Sequence, residues 1–214
     1  MIKRLRYLLW KTHLDVGESL TLPPVSVSFA SSSLWSDQCQ VLQRDLGRTP
    51  GIHYTNAQRI MLRYACAMPC FGYSQGNLYV YRAMCEVFDN EREVFWAFTR
   101  AMDIVNIYGP LNSDVKFRNS GLPDWVTREF TKHSPDMDIE WLHFGIQLRW
   151  FFLMWGQTCA TVGIQCSLMD YALQGRVHMY RLAAAMIRVF HSRVLQFEDP
   201  MEKFQQLFQI QIQT

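Results

Sequence analysis

The spacing of apolar side chains is the feature that most constrains how this chain folds. In four segments these side chains recur every third or fourth residue, which places them on one side of an α-helix. These segments are Ile2–Leu9, Leu34–Leu46, Ile60–Met68 and Val94–Val105. A short alternating segment, Val25–Phe29, lies between two prolines and a run of serines. Because it has no partner strand, we expect an extended loop there.

Residues that cap or end helices agree with this pattern. Thr55 precedes Gln58 by three positions, and Asn90 precedes Glu93 in the same way, so both pairs are typical of capping boxes at helix N-termini. Pro69 follows the third segment and predicts its end. The sequence therefore predicts an all-α fold of roughly nine or ten helices, packed as one irregular domain.

Length and composition bound the domain organisation. The chain has 214 residues, 49% of them hydrophobic, which is enough for one well-buried core. We expect a single domain over residues 1–214, with an N-terminal half at about 1–108 and a C-terminal helical half at about 109–214. Helix-breaking residues between Gly109 and Pro123 predict a loop between the halves.

Charge and cysteine usage exclude several classes of protein. The formal charge is +2, from 21 basic and 19 acidic side chains, whereas nucleic-acid-binding proteins usually carry a strongly basic face. The richest apolar stretch, Trp150–Trp155, is far shorter than the roughly 20 residues of a transmembrane helix. The six cysteines are scattered and, like the histidines, lack the spacing of metal ligands. We expect a cytoplasmic protein with free thiols and no metal site.

The first polar segment that does not fit a simple core helix is Leu42–Thr49. A helix is expected to end near Gly47, which leaves Arg48 at the start of a loop. Asp45 lies three residues earlier, within reach to orient the guanidinium of Arg48. An arginine after a helix end is, however, more often a solvated surface residue.

The second such segment is Phe71–Asn77, where Gly72 and Gly76 flank Gln75. Glycines allow close approach of another surface to the backbone. The amide of Gln75 donates and accepts hydrogen bonds at once, which suits the positioning of a water molecule. Taken alone, a glutamine between glycines is more often only part of a turn.

Together, the two segments resemble the signatures of TBC-domain Rab GTPase-activating proteins. Leu42-x-x-Asp45-x-x-Arg48 is similar to the family's Ile-x-x-Asp-x-x-Arg, and Tyr73-x-Gln75-Gly76 matches its Tyr-x-Gln-Gly. Further similarities occur in the family's order along nearly the whole chain. They are Arg6 and Trp10; Gln58, Leu62, Tyr64, Ala65 and Pro69; Val94-Phe95-Trp96; Arg149-Trp150; and Asp170.

The resemblance implies a compact TBC domain that completes the active site of a partner. It implies that Arg48 is an arginine finger and Gln75 a glutamine finger that orients the attacking water. Asp45 would hold Arg48, and Tyr73, Gly76 and Thr49 would support the two motifs. The protein would need no cofactor of its own, because GTP and Mg²⁺ belong to the GTPase. The implied partner is a Rab-family GTPase in its GTP form, and peripheral association with endomembranes would come through that partner.

The sequence departs from the family pattern at a few positions. Asn77 replaces a usual methionine, Met169 replaces the tryptophan of a Trp-Asp landmark, and Gln157-Thr158 replaces an Arg-Glu pair. The segment 109–138 is also short for the family. These departures leave open a second interpretation, a catalytically silent scaffold of the same fold. A third, more distant alternative is an unrelated helical hydrolase with a cysteine or serine nucleophile.

Overall fold

The computed structural model describes most of the chain. The described residues are 2–49, 51–69, 72–74, 76–105, 123–133, 135, 145–146, 150–151, 153–194 and 196–209. Within them the chain forms ten helices and no β-strand, which confirms the predicted all-α class. None of these helices is both long enough and apolar enough to cross a membrane. The loop predicted at 109–123 lies almost wholly outside the described residues.

The chain divides into two compact units, Met1–Ser113 and Asp114–Thr214. The helices of the first unit are α1 (Ile2–His13), α2 (Val27–Ala30), α3 (Ser33–Leu46), α4 (Tyr54–Ala67), α5 (Asn77–Val87) and α6 (Glu91–Val105). Those of the second are α7 (Asp124–His133), α8 (Val162–Ala172), α9 (Arg176–Val194) and α10 (Pro200–Gln209). The prediction of one domain over 1–214 stays a prediction.

The core of the first unit lies where α4, α5 and α6 pack together. Tyr64 of α4 meets Phe98 of α6 edge to face, with ring centroids 5.0 Å apart. Phe95 and Leu42 are fully buried in the same unit. Helix α3 packs on α4, and α1 packs on α5. Burial of these large side chains supplies most of the stabilising free energy of such a unit.

The second unit is built around α9, which contacts α7, α8 and α10. Its core includes Trp150 and Trp155, both fully buried. Phe151 packs edge to face against Trp155 and against Tyr180 of α9, with centroids 6.0 and 5.6 Å apart. Trp150, Phe151 and Trp155 are therefore packing residues of this unit.

Two local predictions are wrong. Residues 25–29 do not form an extended loop, because Val27–Ala30 is a short helix whose N-cap Ser26 accepts a hydrogen bond from the Phe29 amide. Thr55 does not cap α4, since that helix already begins at Tyr54 and His53 makes no side-chain capping bond. In the first place a helix forms where a loop was predicted, and in the second the helix begins one residue before the predicted cap.

The prediction at Asn90 is partly right. Its Oδ1 accepts a hydrogen bond from the Arg92 amide at 2.9 Å, as expected for a capping residue at the start of α6. The Glu93 side chain does not complete the box and instead accepts a hydrogen bond from the Tyr7 hydroxyl at 2.8 Å. Glu93 therefore ties α1 to α6.

Candidate functional site

The site is built around the C-terminal end of α3. Ser32 caps the start of this helix by accepting a hydrogen bond from the Trp35 amide, and Gly47 follows its last residue, as the sequence predicted. The chain then turns sharply, because the amide of Arg48 donates to the carbonyl of Asp45 at 3.0 Å. Thr49 is buried, and its hydroxyl donates to the same carbonyl at 3.0 Å. These contacts fix the backbone that carries Arg48.

Asp45 and Arg48 differ strongly in exposure. The side chain of Asp45 is 7% exposed, whereas that of Arg48 is 62% exposed. Arg48 Nη2 lies 3.8 Å from Asp45 Oδ1, which is an ion pair but too long for a hydrogen bond. The buried carboxylate thus lies beside the guanidinium, while most of the Arg48 side chain is in solvent.

The second oxygen of the carboxylate is engaged by the other motif. The hydroxyl of Tyr73 donates a hydrogen bond to Asp45 Oδ2 at 2.7 Å in a buried setting. The pKa of the Tyr73 phenol is raised well above its usual range, mainly because the side chain is buried and secondly because it donates to the Asp45 carboxylate. Tyr73 therefore stays protonated and remains a donor at neutral pH. One buried aspartate links the segment that carries Arg48 to the segment that carries Tyr73.

Gln38 is a residue of this site that sequence analysis missed. Its Oε1 accepts a hydrogen bond from the Tyr73 amide at 2.9 Å. It lies seven residues before Asp45 on α3, two helical turns away and so on the same face. Helix α3 therefore holds Tyr73 twice, by its backbone and by its hydroxyl. The seven-residue spacing was visible in the sequence, but the contact with a residue 35 positions away was not.

The two glycines of the second motif have separate structural roles. Gly72 has φ +59°, and a Cβ at this position would lie 2.6 Å from Gln38 Nε2. Gly76 has φ +105° and is the N-cap of α5. Both values lie in the left-handed region that favours glycine. The close approach at Gly72 comes from Gln38 of the same chain, whereas the sequence suggested an approach by another surface.

The structure brings together Asp45, Arg48, Thr49 and Tyr73 from the predicted set. Gln75 lies outside the described residues, as does Arg149. The other predicted landmarks are placed as follows: Trp10 and Trp150 are fully buried, Arg6 and Asp170 are half-buried. Trp10 belongs to the first unit and Trp150 to the second, and their burial is that of core residues.

An open groove of about 470 Å³ lies between α1 and the end of α5, and its lining includes neither Asp45 nor Arg48. An exposed guanidinium next to a buried carboxylate can donate hydrogen bonds to anionic oxygens.

Comparison with known protein families agrees with this geometry. The family model for the Rab-GTPase-TBC domain matches residues 3–195. The chain therefore belongs to the Rab-GTPase-TBC domain family, and the resemblance stated from the motifs is confirmed. No curated protein matches the chain significantly. Membership indicates Rab GTPase-activating activity in general and a Rab-family GTPase as the partner.

Proposed function

We propose that this protein binds a Rab-family GTPase in its GTP form and accelerates GTP hydrolysis by supplying Arg48 and Gln75 in trans. The observation that carries the proposal is the position of Arg48, which is exposed after the end of α3 and forms an ion pair with the buried Asp45. The hydrogen bond between Tyr73 and Asp45 ties the second motif to the same point.

Arg48 would act on charge that develops during phosphoryl transfer. In the transition state, negative charge spreads over the oxygens of the transferred phosphoryl group, and a cationic side chain stabilises it. Such a finger raises the hydrolysis rate by about 10³ to 10⁵, which corresponds to roughly 4 to 7 kcal/mol of barrier. Because 62% of the Arg48 side chain is exposed, the guanidinium is accessible to a partner. Lysine would substitute poorly, because it lacks the planar fork.

Gln75 would orient the water that attacks the phosphorus. Its assignment rests on the sequence, where it stands two residues after Tyr73 and one before Gly76. Tyr73 is held by Gln38 and Asp45 on one side, and Gly76 starts α5 on the other. The described residues on either side of Gln75 in the sequence are therefore held in place.

The cellular setting belongs to the same proposal. A Rab activator acts where its GTPase resides. We therefore propose that the protein is cytoplasmic, associates peripherally with endomembranes and takes part in vesicle trafficking. GTP and Mg²⁺ would be the partner's substrate and metal.

Single-turnover GTP hydrolysis by a panel of Rab GTPases tests the proposal. The chain should accelerate at least one Rab, and Arg48→Ala should lose about 10³-fold or more of that acceleration. Gln75→Ala should lose a large share as well. Arg44→Ala and Gln40→Ala are matched controls, because both residues are exposed on α3 and neither is a residue that defines the motifs. Both controls should keep full activity.

Other outcomes separate the alternatives. If no Rab is accelerated but one binds the chain in its GTP form, the protein is a silent scaffold. If hydrolysis is accelerated equally by the wild type and by Arg48→Ala, the finger assignment is wrong. Labelling by a thiol or serine probe together with no effect on any Rab would favour an unrelated hydrolase.

A further inference from the structure

The apolar stripe of α1 points to solvent rather than into the core. Ile2, Leu5, Leu8 and Leu9 are exposed by 69%, 61%, 54% and 37%. At 100° per residue these four side chains share one side of the helix. Trp10, the buried residue of α1, lies on the opposite side. A contiguous exposed patch of large aliphatic side chains marks a surface that interacts with something else.

The opposite side of α1 is fixed to the rest of its unit. The Tyr7 hydroxyl donates to Glu93 at 2.8 Å, and Lys11 Nζ donates to the same carboxylate at 3.2 Å. The Tyr7 ring packs edge to face on Phe88, with centroids 5.4 Å apart. Lys3 pairs with Asp89 at 3.0 Å. These contacts set the rotation of the helix, so the aliphatic side cannot turn inward without breaking them.

A cationic residue borders the aliphatic side. On the helical projection the exposed Arg4 lies at one edge of the stripe, and α1 contains no acidic residue. Among the acidic neighbours, Asp89 contacts Lys3, and Glu93 and Glu18 contact Lys11. The outer side of α1 therefore combines aliphatic groups with positive charge at one border.

We propose that α1 docks its outer side on an anionic lipid surface. An interfacial helix of this kind inserts aliphatic side chains among the acyl chains and places arginines at the negatively charged headgroups. A second copy of the chain fits less well, because a two-fold contact through this side would bring like charges of the two copies together. The proposed contact is direct and needs no GTPase.

Co-sedimentation with vesicles tests this proposal. The probes are vesicles of phosphatidylcholine with and without phosphatidylserine. The wild type should bind the phosphatidylserine vesicles far better, and raised salt should weaken that binding. Leu5→Gln with Leu8→Gln should lower partitioning roughly tenfold or more, and Arg4→Gln should lower it about threefold. The matched control is Val177→Gln with Val189→Gln, which changes two exposed aliphatic residues of α9 and should leave binding unchanged.

Three results would overturn the proposal. One is failure of the wild type to bind phosphatidylserine vesicles. A second is unchanged binding by the double leucine variant, provided that circular dichroism shows it folded. A third is a dimer in sedimentation that the same variant disperses, since the outer side of α1 would then belong to a second copy.

Discussion

Replacing Tyr73 with phenylalanine removes one hydroxyl and leaves the ring in place. That hydroxyl donates to Asp45 Oδ2 at 2.7 Å in a buried setting. A hydrogen bond to a charged group contributes about 1.5 to 3 kcal/mol, and loss of the donor also leaves a buried carboxylate oxygen without this partner. The pair with Arg48 at 3.8 Å is too long to compensate. We expect Tyr73→Phe to lower the stability of the first unit by about 2 kcal/mol.

Native-state hydrogen exchange of the α3 and α4 amides in low urea measures this change, because it reports on the first unit even if the two units unfold separately. The matched control is Tyr54→Phe, whose exposed hydroxyl accepts a hydrogen bond from Gln43. The control should change stability by less than about 0.5 kcal/mol. A double-mutant cycle of Tyr73→Phe with Asp45→Ala should give a coupling energy of about 1 kcal/mol or more. A coupling energy near zero, or a Tyr73→Phe protein as stable as the control, would show that the hydrogen bond between Tyr73 and Asp45 does not stabilise the first unit.

Three further predictions follow from single contacts. Gly72→Ala should destabilise the first unit by about 1 to 3 kcal/mol, because φ at this position is +59° and the new Cβ would displace the Gln38 side chain. A hydrogen-exchange profile like that of the wild type would contradict this prediction. Asn77→Met should raise the melting temperature, because Asn77 Oδ1 is buried and has no hydrogen-bond partner among the described residues; a lowered melting temperature would show that the amide is needed. The Glu129 carboxylate contacts Arg188 on α9 and His133 on α7, and these contacts, that with Arg188 first, lower its pKa from 4.5 to about 2. The folded-state pKa is thus depressed, so the stabilising effect of Glu129 is present above pH 4.5 and is lost as the pH falls toward 2. In denaturant titrations, the stability difference between wild type and Glu129→Gln should shrink as the pH falls from 4.5 toward 2. A constant difference would contradict the lowered pKa of Glu129.

The sequence predicted those parts of the fold that depend on neighbouring residues. Apolar spacing located α3, α4 and α6, and Gly47 marked the end of α3. The closeness of Asp45 and Arg48 was predictable for the same reason, because residues three positions apart near a helix end project to the same side.

Contacts between distant segments were not predictable. The Tyr73 hydroxyl reaches Asp45 across 28 residues, and Gln38 reaches the Tyr73 amide across 35. Which helices pack together decides both contacts, and no local pattern encodes that choice. Apolar spacing likewise identified α1 but gave no sign that its stripe would remain exposed. The four-residue helix α2 was missed because its segment alternates between apolar and polar residues, which is typical of an extended chain. The capping hydrogen bond of Ser26 was not considered.

Binding of a responsive Rab in a transition-state analogue tests the central claim most directly. GDP with aluminium fluoride mimics the transferred phosphoryl group, and a residue that stabilises the transition state binds the mimic more tightly than the ground state. Affinity for the GDP–aluminium fluoride complex should fall at least about tenfold for Arg48→Ala, while Arg44→Ala binds like the wild type. Equal affinity of wild type and Arg48→Ala for that complex would contradict the assignment of Arg48 as the arginine finger.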